Sequence, residues 1–172
     1  MRGVLERNPA LRVIFTELGF EWIPGVLEEI GSLYQQIDTA GMRATRLQSG
    51  TSATSLSLTA AEYWDRQCYV THSAGFRREQ FEGGIFARLP NLVWGADVGH
   101  SEGMWPSLSL PDDSVSFRQD LRALIEDLPA NRLTQFLSDN FFRAFTSVDR
   151  RQMSEIASRI GSPTGRELGL AS

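Results

Sequence analysis

The chain has 172 residues, of which 41% are hydrophobic and 22% charged, and a formal net charge of −4. So mild an acidic balance gives no electrostatic footprint for nucleic acid or an anionic membrane surface. No uninterrupted apolar run approaches the roughly 20 residues needed to cross a bilayer. The start, Met1-Arg2-Gly3-Val4-Leu5-Glu6-Arg7, puts a charged pair where a signal peptide needs an apolar centre, so a cytoplasmic location is expected. All 17 basic residues are arginine. That excludes chemistry built on a lysine Schiff base or a carbamylated lysine. The single cysteine, Cys68, excludes an internal disulfide and a cysteine-rich zinc site.

In chain order, Gly3 to Asn8 reads as a helix end closed by Asn8-Pro9. Leu11 to Thr16 is an apolar, β-rich run that suits a buried parallel strand ending at Glu17-Leu18-Gly19. Pro24 opens a helix whose apolar stripe is Val26, Leu27, Ile30, Leu33, Tyr34 and Ile37. Residues 38–57 are rich in Ser, Thr and Gly and read as a long loop. A short helix over Ala60–Arg66 follows, with Thr59 as its N-cap. The second strand is Cys68 to His72. A Gly- and charge-rich connection leads to the third, Leu92 to Asp97. From Asp112 onward the pattern is helical, in stripes ended by Pro129, by Phe145 and by Gly161. Residues 1–161 are expected to form one body, with 162–172 a flexible tail.

Strands separated by helical segments predict an α/β fold with right-handed parallel crossovers. Three parallel strands alone leave two open edges. In such architectures chemistry collects at the carboxyl ends of the strands. All three runs stop at polar residues there: Glu17, His72 and Asp97. A carboxylate in the position of Asp97 can ligate a metal or accept a proton from bound water; it can equally cap the loop that follows. His100 and Glu102 sit in that loop. Cys68 and His72 share a strand face, which leaves a cysteine nucleophile as the alternative to a buried structural thiol. Trp22, Trp94 and Trp105 read as core or pocket walls. The sequence contains no phosphate-binding glycine loop, no Gly-x-Ser-x-Gly and no His-Glu-x-x-His.

Several stretches resemble one family, the amidohydrolase-related group that includes aminocarboxymuconate-semialdehyde decarboxylase. Gly3 through Val13 resembles the helix and the start of strand 6 of that barrel. Phe15-Thr16-Glu17-Leu18-Gly19-Phe20-Glu21-Trp22-Ile23-Pro24 resembles the end of strand 6 in one subgroup. The run from Trp94-Gly95-Ala96-Asp97 to Trp105-Pro106 is similar to the strand 8 motif, and Asn140-Phe141-Phe142-Arg143-Ala144-Phe145 to the terminal helix. The resemblance implies the last three strands (6–8) of a (β/α)8 TIM barrel with C-terminal helices. It implies a metal-dependent hydrolase or carboxy-lyase acting on a small molecule, with Asp97 as metal ligand and proton shuttle. Glu17 would be a second catalytic group, and Trp22, His72, His100 and Trp105 would contact substrate.

This sequence departs from the family pattern in three places. Val98-Gly99 stands where the family has Tyr-Pro. Glu17 stands where the decarboxylases have a histidine. The family's metal, zinc or a similar divalent ion, is held by a His-x-His pair and a further histidine, whereas this chain has only His72 and His100. A complete barrel needs about 250 residues. The chain alone is therefore expected to bind no metal and to be inactive, as a C-terminal piece lacking its N-terminal half. The alternatives are a non-catalytic interaction module that oligomerises and a half-barrel completed by a separate chain.

Overall fold

The computed structural model describes residues 3–39, 56–72, 84, 88–97, 125, 128–161 and 166. The elements are α1 (Val4–Arg7), β1 (Val13–Phe15), α2 (Ile23–Thr39), α3 (Ala60–Gln67), β2 (Cys68–His72) and β3 (Leu92–Trp94). A continuous helical stretch follows, made of α4 (Ala130–Thr134), a π-helical turn (Gln135–Asp139) and α5 (Asn140–Ala144), and then α6 (Arg150–Ile160). The sheet has the order β1-β2-β3, all parallel, with Phe15, Val70 and Leu92 forming one row across it. This is the expected α/β arrangement, with shorter first and third strands than the apolar runs predict. Of the loop expected over 38–57, residues 38 and 39 are helical, since α2 runs to Thr39, and 40–55 lie outside the described residues. The tail over 162–172 and the helix expected from Asp112 to Pro129 lie largely outside the described residues.

Strand alternation sorts the side chains onto two faces. Val13, Phe15, Cys68, Val70, Leu92 and Trp94 share one face with Phe20, Ile23, Trp64 and Phe136 from the helical side. Ile14, Tyr69 and Val93 share the other with Phe141 and Ala144 of α5. Both faces carry apolar residues, which explains why the strands read as continuous runs rather than alternating ones. Phe20 and Ile23 are fully buried, and each contributes on the order of 1.5–3 kcal/mol through that burial.

Local signals account for the helix ends. Pro24 occupies the first turn of α2, where no N–H is required. At α3 the Thr59 hydroxyl accepts from the Glu62 N–H at 3.2 Å, and Glu62 Oε2 accepts from the Thr59 N–H at 2.7 Å, a complete capping box. Along the last long helix the buried positions are Leu133, Phe136, Asn140 and Ala144. A pure α-helix drifts by about 40° at each four-residue step. The wider π turn takes up that drift and keeps Asn140 pointed at the sheet. The phenylalanines of this region divide: Phe136 is core, Phe145 is exposed, and Phe142 lies under the Arg150 guanidinium at 4.3 Å. The α6 stripe of Met153, Ile156 and Ile160 is exposed rather than buried.

Three buried amides tie the amino-terminal edge of the sheet together. Gln67 donates to the carbonyls of Asn8 (2.7 Å) and Leu11 (3.1 Å), just ahead of β1. Asn91 donates to those of Trp64 (3.1 Å) and Asp65 (2.7 Å), just ahead of β2. Asn140 donates to Pro90 and Leu92, both at 2.7 Å, at the start of β3. Carbonyls at a helix's last turn and around the starts of strands must find donors when buried, and these side chains supply them.

Candidate functional site at the strand ends

Because all three strands run the same way, their carboxyl ends share one rim. Glu17 follows two residues after the end of β1, His72 ends β2, and Asp97 follows three residues after the end of β3. The three strand-end residues singled out in the sequence therefore lie on one side of the sheet. His100 and Trp105 lie outside the described residues, as does the His72 side chain.

The backbone marks two of these positions. Glu17 (φ 59°) and Asp97 (φ 51°) are the only non-glycine residues with left-handed backbone among the described residues. For a glutamate this conformation costs about 1–2 kcal/mol, less for an aspartate, whose short side chain bonds locally. Residues held so by the surrounding fold concentrate at functional sites. Glu17 is exposed and Asp97 half-buried.

A tight turn holds Glu17. The Trp22 indole N–H is shared between the carbonyls of Leu18 (3.0 Å) and Gly19 (3.1 Å). The Phe20 N–H donates to Glu21 Oε2 at 3.0 Å. Gly19 has φ 62°, a left-handed conformation that glycine adopts without strain. Trp22 packs edge-on against Phe15 and Trp64, with ring centroids 5.8 and 6.1 Å away. It stands behind the rim, on the helical face.

Cys68 is a structural thiol. It is buried, and burial pushes its pKa up to about 11. His72 lies four residues along the strand, about 13 Å of backbone away, too far for a nucleophile–base pair. Among the described residues no three His, Cys, Asp or Glu side chains gather to hold a metal. Asp97 alone does not fit a divalent ion, since zinc sites use three or four protein ligands.

Sequence reasoning missed a second feature. A cavity of about 500 Å³ lies between α1, α2, α3 and the sheet, with Phe15 and Trp22 on its wall. On its wall Glu6 accepts from the hydroxyls of Tyr63 and Ser57. Those bonds, Tyr63 foremost, hold the Glu6 carboxyl below its ordinary value of 4.5. Nothing in the spacing of Glu6, Ser57 and Tyr63 signals this grouping, because it forms only when α1 meets α3.

No family model matches the chain, and no curated protein does. Among solved structures it is similar to 5-carboxyvanillate decarboxylase LigW from Sphingomonas paucimobilis. The TM-score is 0.54 at 20% identity, over 84% of this chain and 36% of that one. The chain thus spans just over a third of that enzyme's length. At this identity the likeness is one of fold: a small parallel α/β sheet with its helices, consistent with part of a TIM barrel.

Proposed function

We propose that this chain provides strands 6–8 of an amidohydrolase-type barrel, and that its carboxyl rim belongs to a metal-dependent hydrolase or carboxy-lyase. The observation that carries the reading is the left-handed backbone at Glu17 and Asp97, two and three residues beyond the ends of parallel strands. In this reading Asp97 is the strand 8 ligand and proton shuttle, and Glu17 the acidic group of strand 6. His72, His100 and Trp105 complete the substrate wall, and Trp22 supports the Glu17 turn. The sequence has no His-x-His, so the remaining ligands come from barrel strands outside it, and the chain alone is inactive. The parent substrate is a small molecule.

The test is co-expression with a polypeptide carrying barrel strands 1–5 and its His-x-His, followed by metal analysis of the purified pair. About one divalent ion per pair is expected, lost in Asp97→Ala and absent from the chain alone. Metal retained in full by Asp97→Ala refutes the assignment. A second reading, a non-catalytic module joined to another chain through its sheet edges, is favoured by β1 and β3 each pairing on one side only among the described residues. It predicts stable association with no metal.

A further inference from the structure

The cavity and the Glu17 turn share side chains. Phe15, the last residue of β1, and Trp22 both line the cavity wall. Trp22 serves the turn as well: its ring forms wall, while its indole N–H holds the carbonyls of Leu18 and Gly19 at 3.0 and 3.1 Å. Those carbonyls belong to the two residues that follow Glu17, whose backbone is left-handed. Phe15 and Trp64 stack with centroids 5.4 Å apart, and Trp22 packs edge-on against both. The ring that clamps the turn is therefore set in place by other rings of the wall.

The space beside these rings, about 500 Å³, is that of sites which enclose a small organic molecule. Leu27 and Ile30 of α2 extend the wall, so an apolar molecule there exchanges water for aromatic and aliphatic surface. The turn itself has few restraints. Glu17 and Leu18 are exposed, and the left-handed backbone at Glu17 works against the closed form. Opening the turn releases the Trp22 N–H and with it the position of the ring. An occupant packed on that ring binds the closed turn in preference to the open one. It shifts the turn towards the closed form by a factor of 1 + [L]/Kd.

We propose that this cavity is an effector site: a small apolar aromatic molecule seated on the Trp22 ring holds closed the turn that carries Glu17. The consequence for catalysis rests on Glu17 being the strand 6 acid of the rim. The coupling itself requires neither a metal nor the rest of a barrel. Its link is the Trp22 N–H. Without that donor the ring still lines the wall, but it no longer holds the two carbonyls, and filling the cavity leaves the turn as it was.

The test uses the full chain with 1-fluoronaphthalene as the probe. Fluorine NMR titration gives its Kd, with one-to-one binding expected. Cleavage after Glu17 by a glutamate-specific protease, followed by mass spectrometry of the fragments, reports opening of the turn. With the probe at about three times its Kd, that cleavage should slow about fourfold, the factor 1 + [L]/Kd. Cleavage after Glu155, in α6, which contributes nothing to the described wall, should be unchanged. Trp22→Phe keeps an aromatic ring on the wall and removes the N–H. The probe should bind this variant within about tenfold of wild type, while its protection of Glu17 is lost. Should Trp22→Phe not fold, the two cleavage rates of the wild-type chain decide. No binding, binding that leaves Glu17 cleavage unchanged, or equal slowing at Glu17 and Glu155 would overturn the proposal. So would a folded Trp22→Phe chain that keeps wild-type protection or no longer binds. Because no metal enters the experiment, its failure leaves the Asp97 assignment standing, and a failed metal test leaves the coupling standing.

Discussion

Replacing Glu17 by glycine should stabilise the chain, although it removes a side chain. The native φ of 59° costs an L-residue about 1–2 kcal/mol that glycine does not incur. Against this, glycine gains roughly 0.5–1 kcal/mol of unfolded-state entropy. Glu17 is exposed, so little packing is lost. The net expectation is a gain of about 0.5–1 kcal/mol, or roughly 1–4 °C in Tm for a domain of this size. Urea denaturation followed by far-UV circular dichroism measures it, with Leu18→Gly as control. Leu18 is 59% exposed and its φ is not positive, so the same substitution there should destabilise. If Glu17→Gly loses as much as Leu18→Gly, the left-handed conformation is not imposed on Glu17, and the argument linking it to function fails. In the pair completed by the N-terminal strands, Glu17→Gly should at the same time lower activity, because stability and function conflict where a site holds backbone strain.

Asn140→Ala leaves the carbonyls of Pro90 and Leu92 without their side-chain donor. It should cost about 2–3 kcal/mol, seen as a lower denaturation midpoint with unchanged slope. Acid should weaken the contacts of α1 and the start of α3. Glu6 and Glu62 both have carboxyls held below the ordinary 4.5, Glu6 mainly by Tyr63 and Glu62 by the Thr59 backbone. A depressed folded-state value means stability present above the unfolded value and lost as pH falls through the folded one. The midpoint should therefore drop below about pH 4.5, and Glu62→Gln should flatten that dependence; an unchanged profile in the variant refutes it. Cys68, with its thiol pushed up to about 11, should resist iodoacetamide at neutral pH until the chain unfolds, with the alkylation rate tracking the unfolded fraction across a urea series.

Some of this was legible in the residues, and the reasons differ by element. Val13–Phe15, Cys68–His72 and Leu92–Trp94 stand out because strands covered on both faces need apolar side chains at every position. Thr59 is readable as the N-cap of α3 because capping is local: one side chain meets an N–H three residues away. The left-handed backbone at Glu17 was not, because glutamate has no preference for it; the indole of Trp22 and the left-handed Gly19 create that turn only once the core forms. The π turn was hidden because α and π segments draw on the same residues. The α6 stripe was readable as a stripe, but periodicity does not say what covers it.

Gln67 and Asn91 carry the larger lesson. Each directly precedes a strand and reaches across to the segment before the previous one, so each strand's start is held by its neighbour. In the sequence they look like ordinary polar residues between a helix and an apolar run. Their partners are backbone carbonyls some 26 to 59 residues away, and carbonyls have no sequence signature. Together with Asn140 they concentrate polar stabilisation at the amino ends of the strands, while the two strained acids stand at the carboxyl ends. This division of labour is the one parallel α/β folds use, with stability at one rim and chemistry at the other. It makes the two rims separable by mutation. Changes at Gln67, Asn91 or Asn140 should move stability without touching metal content in the completed pair. Changes at Asp97 should do the reverse, and a metal-deficient Asn140→Ala pair with native-like folding would contradict the division.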